Sequence, residues 1–319
     1  MSCIELTLDT TSEAVDWVCT LLASINYTSD ITVTKYTNTD LDRRQNNWTC
    51  TINFYLPNNT QASSRIQEIE NLLSPLHRTA LTSTLEAYVI AEKPNKSDIK
   101  SEPIQIGERF TVVNSDAVDL PNISEKIIIK LKASLAFGSG LHPATILAIK
   151  LLERHITNNM NVLDLGSGSG ILSVAAAKLG ANVLALDNDE VAVEATQDAI
   201  TRNDVTDKVR VIQGSLGRGS EMGNWMGGAN TGNVSSISPN GNFDLIVANI
   251  LGRIHTTLAP DYRQALYQEN QNSGILITSG YDNDYEESVT KALSAQGFEQ
   301  IDSERFNEWV ALTHNIMSG

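Results

Sequence analysis

The sequence predicts an α/β protein, a doubly wound and largely parallel sheet preceded by a small α+β domain. Three observations carry this. Val162, Leu163 and Leu165 form an apolar run into glycines at 166, 168 and 170, and residues 171–179 then show helical apolar spacing. A buried strand, a glycine turn and a helix start make up the nucleotide-site geometry of doubly wound sheets. From Val162 onward strand-like and helix-like segments alternate, which predicts a parallel sheet wrapped by helices. Residues 1–92 instead read strand, helix, strand, strand, helix, strand, the order of a ferredoxin-like unit.

In chain order, residues 4–8 alternate as a half-buried strand should, and Thr11 or Ser12 can cap a helix reaching about residue 25. Residues 31–36 and 48–56 read as strands, 61–73 as a helix and 85–91 as the closing strand. The polar stretch 92–103, with Pro94 and Pro103, is the best linker, so 1–92 is one domain and 93–134 a linker with lead-in strands at 104–113 and 127–131. The large domain, 135–319, opens with a helix over 141–156 that tolerates Pro143 in its first turn. Strands follow at 162–165, 183–187, 208–213, 243–248, 274–279, 298–304 and 308–315, with helices at 171–179, 190–203, 257–268 and 284–296. Only a short gap, at Phe306-Asn307, separates the last two strand signals. That short gap predicts a final antiparallel hairpin, the seven-stranded variant of a Rossmann-like sheet.

Residues 214–241 stand apart. They hold eight of the 20 glycines, are rich in Asn and Ser, and carry only Arg218 and Glu221 as charges. Apart from Ser215 and Leu216 they read as a long surface loop leaving a strand's carboxyl end, either a plain insertion or a lid over a ligand.

Composition narrows the classes. With 41% hydrophobic and 19% charged residues, 319 residues can bury a sizeable core, and no apolar run is long enough for a membrane helix. The amino-terminal residues show no signal-peptide pattern, and three widely spaced cysteines (Cys3, Cys19, Cys50) fit a reducing cytoplasm and match no zinc pattern. No metal site is expected. The net charge of −15 argues against direct nucleic-acid binding and favours a basic partner.

Two acids sharpen the glycine turn. Asp187 ends the next strand, about 20 residues on, where a ribose-binding acid is expected, and Asp164 sits inside the first strand. A carboxylate beside the turn would face pyrophosphate in a dinucleotide site, so it suits a ligand with a cationic group better. The pattern Asp-x-Gly-x-Gly-x-Gly resembles the S-adenosylmethionine (AdoMet) site of class I methyltransferases. Two more stretches join it: 135–145, with Phe137, Gly138, Ser139, Gly140, His142 and Thr145, and 243–251, a strand ending in Asn249. Together with residues 307–312 they resemble the ribosomal protein L11 methyltransferase family, over essentially the whole chain.

The resemblance implies that Thr145, Gly166, Asp187 and Asn249 bind AdoMet and that Phe137, Gly138, Gly168 and Ser215 line the same pocket, with Asp164 beside the turn. It implies methyl transfer to lysine or α-amino groups of a basic protein, ribosomal protein L11 first. Only roughly one free lysine amine in 2,500 is neutral at pH 7, so the enzyme must favour deprotonation as well as alignment. No residue stands out as general base; His142 and His255 are candidates, against a loop or surface role. Departures from the family pattern are Ser139, Ala144, the sequence at 187–190, and 96–101 in place of a tryptophan-rich segment. Asn249-Ile250-Leu251 lacks the prolines of methyltransferases that grip planar amines. The competing readings are a methyltransferase for another protein or small amine, one for nucleic acid, an NAD-dependent oxidoreductase, and a non-catalytic AdoMet binder.

Overall fold

A computed structural model describes residues 2–11, 14–25, 27, 31–36, 48–92, 103–114, 126–131, 142–217, 235–238, 240–266 and 274–316. Two compact units are present, one holding a four-stranded sheet and the other a seven-stranded sheet.

In the small unit β1 (Cys3–Thr10), α1 (Ala14–Ser24), β2 (Ile31–Lys35), β3 (Cys50–Pro57), α2 (Ala62–Arg78) and β4 (Glu86–Ile90) follow the expected order. The sheet runs β2-β3-β1-β4, antiparallel throughout. Strict alternation along β1 sends Ile4, Leu6 and Leu8 into a core with Val15, Val18, Leu22, Ile69 and Leu73 from the two helices. The opposite face carries Glu5, Asp9 and Tyr55. The α2 helix continues through Pro75, past the expected end at residue 73, because Leu76 still packs on that core. Cys19 and Cys50 are buried thiols and Cys3 is a half-buried one, none of them in a disulfide.

The lead-in stretch forms a three-stranded sheet of β5 (Ile104–Ile106), β6 (Phe110–Asn114) and β7 (Ile127–Leu131). The single strand expected over 104–113 is thus two, split by a turn at Gly107, whose φ of +61° breaks the extended run.

The large unit comprises α3 (Pro143–His155), β8 (Asn161–Leu165), α4 (Ile171–Lys178), β9 (Asn182–Asp187), α5 (Glu190–Arg202), β10 (Val209–Gln213), the short pair β11 (Ser215–Leu216) and β12 (Ser236–Ile237), β13 (Leu245–Asn249), α6 (Gly252–Ala265), β14 (Ile275–Asp282), α7 (Asn283–Ser294), β15 (Phe298–Phe306) and β16 (Trp309–Ile316). Its sheet order is β10-β9-β8-β13-β14-β16-β15, parallel up to β14 and closed by an antiparallel hairpin. The order reverses between β8 and β13, the crevice where doubly wound folds bind ligands.

Helices α3, α4 and α5 lie side by side, and α6 and α7 pair against the core formed by Leu163, Leu165, Ile246, Ala248 and Leu276. The α6 helix begins at Gly252, five residues before the expected start, since Ile254, Leu258, Ala259 and Tyr262 form one buried face. Residues 218–234 of the glycine-rich insertion lie outside the described residues. Its base is described: β11 and β12 pair in parallel, and Ser236 Oγ donates to Gly217 O at 2.6 Å.

Candidate active site

The site is assembled from strand ends. Val162, Leu163 and Leu165 are fully buried, so β8 is fixed in the sheet's centre and delivers the turn at its carboxyl edge. Gly166, Gly168 and Gly170 all have positive φ, at 78°, 54° and 78°. A Cβ on Gly170 would lie 2.9 Å from Thr196 Cα, so the third glycine also permits α4 and α5 to approach. The turn is held from outside. Gly166 N and Ser167 N both donate to Leu186 O, at 2.8 and 3.0 Å. Thr196 Oγ1 donates to Gly168 O at 3.1 Å and lies 2.9 Å from Ser167 Oγ.

Asp187 ends β9 beside this turn. Its Oδ2 accepts from Gly168 N at 2.9 Å and its Oδ1 from Asp189 N at 3.0 Å. The Asn188 N–H also acts on this carboxyl, and of the roughly four acceptor positions of an ionised carboxylate three donors leave room for a further one. Burial lifts this carboxyl to about 6, against the opposing pull of those N–H groups. Asp164, one residue before the end of β8, is fully buried. Its Oδ2 accepts from Ser173 Oγ at 2.5 Å, while Oδ1 has no hydrogen-bond partner among the described residues. Burial pushes it up to about 7, and the nearby Asp187 adds to the rise.

From the other side of the switch point, Asn249 ends β13 and its Nδ2 donates to Thr145 Oγ1 at 3.1 Å, leaving Oδ1 buried without a partner among the described residues. Ser215, just beyond β10, is fully buried with its hydroxyl likewise unpartnered among those residues. Asp164, Gly166, Gly168, Asp187 and Ser215 therefore lie at the carboxyl ends of β8, β9 and β10, and Asn249 with Thr145 faces them from β13 and α3. Phe137 and Gly138 lie outside the described residues.

Neither candidate base is a surface residue. His142 is buried and desolvation lowers it to about 4. His255 is buried in the core, lowered to about 4 by desolvation, and bonded at both nitrogens: Nε2 donates to Ser279 O at 2.9 Å and Nδ1 accepts from Tyr262 OH at 3.1 Å. The Ser279 carbonyl fixes that tautomer, and a ring so engaged has no free lone pair for a substrate proton. The helical spacing of Ile254, Leu258 and Tyr262 carried the signal that His255 faces inward. Sequence reasoning also passed over Ser173, Thr196 and Ser279. For Ser279 the cue was a Thr-Ser-Gly triplet interrupting an otherwise apolar strand. Among the described residues no group of three His, Cys, Asp or Glu could hold a metal ion.

A seven-stranded sheet of this order, closed by an antiparallel hairpin and bearing a glycine turn with two flanking acids, defines a class I methyltransferase. Residues 2–316 match the ribosomal protein L11 methyltransferase (PrmA) family. The ribosomal protein L11 methyltransferase of Chloroflexus aurantiacus is 36% identical over 328 residues, covering 98% of each chain. That of Herpetosiphon aurantiacus is 37% identical over 98% of this chain and 99% of its own. A crystal structure of the ribosomal protein L11 methylase of Lactobacillus delbrueckii subsp. bulgaricus, 30% identical, aligns with 66% of this chain and 97% of its own at a TM-score of 0.54. The chain belongs to the ribosomal protein L11 methyltransferase family. That family and this fold imply a protein methyltransferase that uses AdoMet.

Proposed function

We propose that this chain methylates lysine and α-amino groups of a basic protein in the cytoplasm, ribosomal protein L11 in the first place, with AdoMet held at the carboxyl edge of β8, β9 and β13. The observation that carries the ligand assignment is the pair of buried carboxylates, Asp164 and Asp187, at one glycine turn. Two such groups repel a pyrophosphate and are stabilised by a cation, so they favour AdoMet over NAD. In this reading Asp187 takes a ribose hydroxyl on its remaining acceptor position. The unpartnered Asp164 Oδ1, Asn249 Oδ1 and Ser215 Oγ gain donors, Thr145 orients Asn249, and Gly166 and Gly168 let the backbone approach. The resemblance to the family's loop motif assigns Phe137 and Gly138 to the same pocket.

When bound, AdoMet supplies a methyl group activated by its sulfonium. The chain's share of the work is to align the acceptor amine and to favour its neutral form by desolvation. We assign acceptor selection to residues 1–92, because the face of that sheet opposite its helices carries half-exposed Glu5 and Asp9, with exposed Glu86 and Tyr88 on its edge strand. An acidic face with tyrosines complements a basic protein.

The experiment is calorimetry with AdoMet and with NAD, followed by mass spectrometry of purified L11 incubated with enzyme and AdoMet. Micromolar AdoMet binding, no NAD binding and added methyl masses on L11 are expected. Tighter NAD binding would overturn the ligand. An unmodified L11 beside a methylated basic protein from a ribosomal fraction would reassign the substrate.

A further inference from the structure

The geometry points to Ser279 as a positioning residue that sets the Thr145–Asn249 pair, an inference that rests on the AdoMet reading of that pair. Ser279 lies where β14 bulges: Thr278 opposes Leu312 and Tyr281 opposes Val310, so Ser279 and Gly280 together face the single residue Ala311. A bulge of this kind re-aims side chains at a sheet edge. Gly280 makes it possible, with φ of +90° and its α-carbon so close to Ile250 that a Cβ would lie 2.5 Å from that residue's carbonyl oxygen.

From the bulge Ser279 makes three ties. Its hydroxyl donates to Ala144 O at 2.9 Å, in the first turn of α3 and one residue before Thr145. Its carbonyl accepts from Ile250 N at 3.0 Å, one residue after Asn249. The same carbonyl accepts His255 Nε2–H from α6, and His255 is steadied in turn by Tyr262. Asn249 and Ser279 are also register partners in the sheet. One fully buried serine therefore holds the backbone beside each member of the 3.1 Å Thr145–Asn249 hydrogen bond and is itself held by the opposite layer. A buried hydroxyl deep in a strand is costly unless it is bonded, and here its bond sets where α3 begins relative to β13.

The test is a double-mutant cycle on AdoMet affinity in the full-length enzyme, with hydrogen exchange of the ligand-free protein as a readout independent of activity. Ser279→Ala should weaken AdoMet about five- to tenfold, the loss of roughly one neutral hydrogen bond, and speed amide exchange in the first turn of α3. In a Thr145→Val or Asn249→Ala background the same change should cost less than about twofold, since nothing remains to be positioned. If the alanine variant fails to fold, Ser279→Thr and Ser279→Val form a pair of equal shape that differs in the hydroxyl, and the threonine should retain affinity while the valine loses it. Equal losses in every background would overturn the proposal and leave Ser279 a general packing residue. Full AdoMet affinity in Asn249→Ala and Thr145→Val would defeat the reading beneath it, and the proposal with it.

Discussion

Gly168 donates its backbone N–H to Asp187 Oδ2 at 2.9 Å, so the turn after β8 and the acid ending β9 form one rigid piece. An acid that both binds a ligand and braces the loop beneath it should be sensitive to loss of charge and to loss of its acceptor atoms. Asp187→Ala is expected to weaken AdoMet by about 1.5–3 kcal/mol, the range for hydrogen bonds to a charged group. Asp187→Asn, which keeps one acceptor oxygen, should lose less. Titration calorimetry of both variants measures this, and unchanged affinity would place Asp187 outside the site.

The raised carboxyls make ligand binding depend on pH. Burial lifts Asp164 to about 7 and Asp187 to about 6, both from 3.8. In the ligand-free protein their contribution to stability is full below the unfolded value and is lost as pH rises through 6 and 7. A cationic ligand prefers the ionised pair, so AdoMet affinity should climb between roughly pH 5.5 and 7.5 with release of protons, and then level off. The ligand-induced rise in Tm should be larger at the alkaline end. An affinity that does not vary over this window would show that the ligand's charge does not reach the pair.

Gly280→Ala tests the bulge. The positive φ and the approach to Ile250 leave no room for a methyl group, and relief requires backbone movement in β13 or β14. A loss of about 2–4 kcal/mol in denaturant-induced unfolding is expected, as for strain combined with overpacking. Gly297, with φ of +80° but open space around it, is the control. There the alanine variant should lose only the backbone-strain part.

His314 offers a stability test of opposite sign. It is buried, both ring nitrogens lack partners among the described residues, and desolvation lowers it from 6.5 to about 4. A histidine held neutral in this way contributes fully above its unfolded pKa, and that contribution is lost as pH falls from 6.5 toward 4. His314→Leu removes the titration. Its stability relative to the parent should therefore improve on acidification, by on the order of 3 kcal/mol between neutral pH and pH 4. A constant difference across that range would mean that the ring is already solvated.

Docking of a basic acceptor on an acidic chain should weaken with salt. Raising ionic strength from about 0.05 to 0.3 M is expected to raise KM for L11 several-fold with little change in kcat. An unaffected KM would shift recognition toward apolar contacts.

The sheet was legible because its strands are apolar runs punctuated by glycines and acids, as at Val162–Asp164–Gly166, and because Phe306-Asn307 leaves no room for a crossover. The boundaries that misled have local causes. Gly107 divides one apolar stretch into two strands, and Arg253, Thr256 and Thr257 mask the buried face that starts α6 early. In the candidate site, the placement of Asp164, Asp187 and Asn249 at or next to strand ends could be read from position alone. Ser279, Thr196 and Ser173 could not, because their roles depend on which helix crosses above them, and a one-dimensional pattern does not encode that. His255 was misjudged for the same reason, since its partners lie on α6 itself and on β14.

The parallel pairing of β11 with β12 has a practical consequence. With Ser215 opposite Ser236 and Leu216 opposite Ile237, Gly217 lies at one end of the pair and Ser235 at the other, three residue steps or roughly 10 Å apart along the strands. A parallel pair cannot be closed by a tight turn, so whatever replaces residues 218–234 must span that offset. A fluorescent reporter with adjoining termini would therefore need a flexible arm on each side to avoid pulling on β10. Placed there, at the carboxyl edge of the sheet, it would give each turnover an optical label.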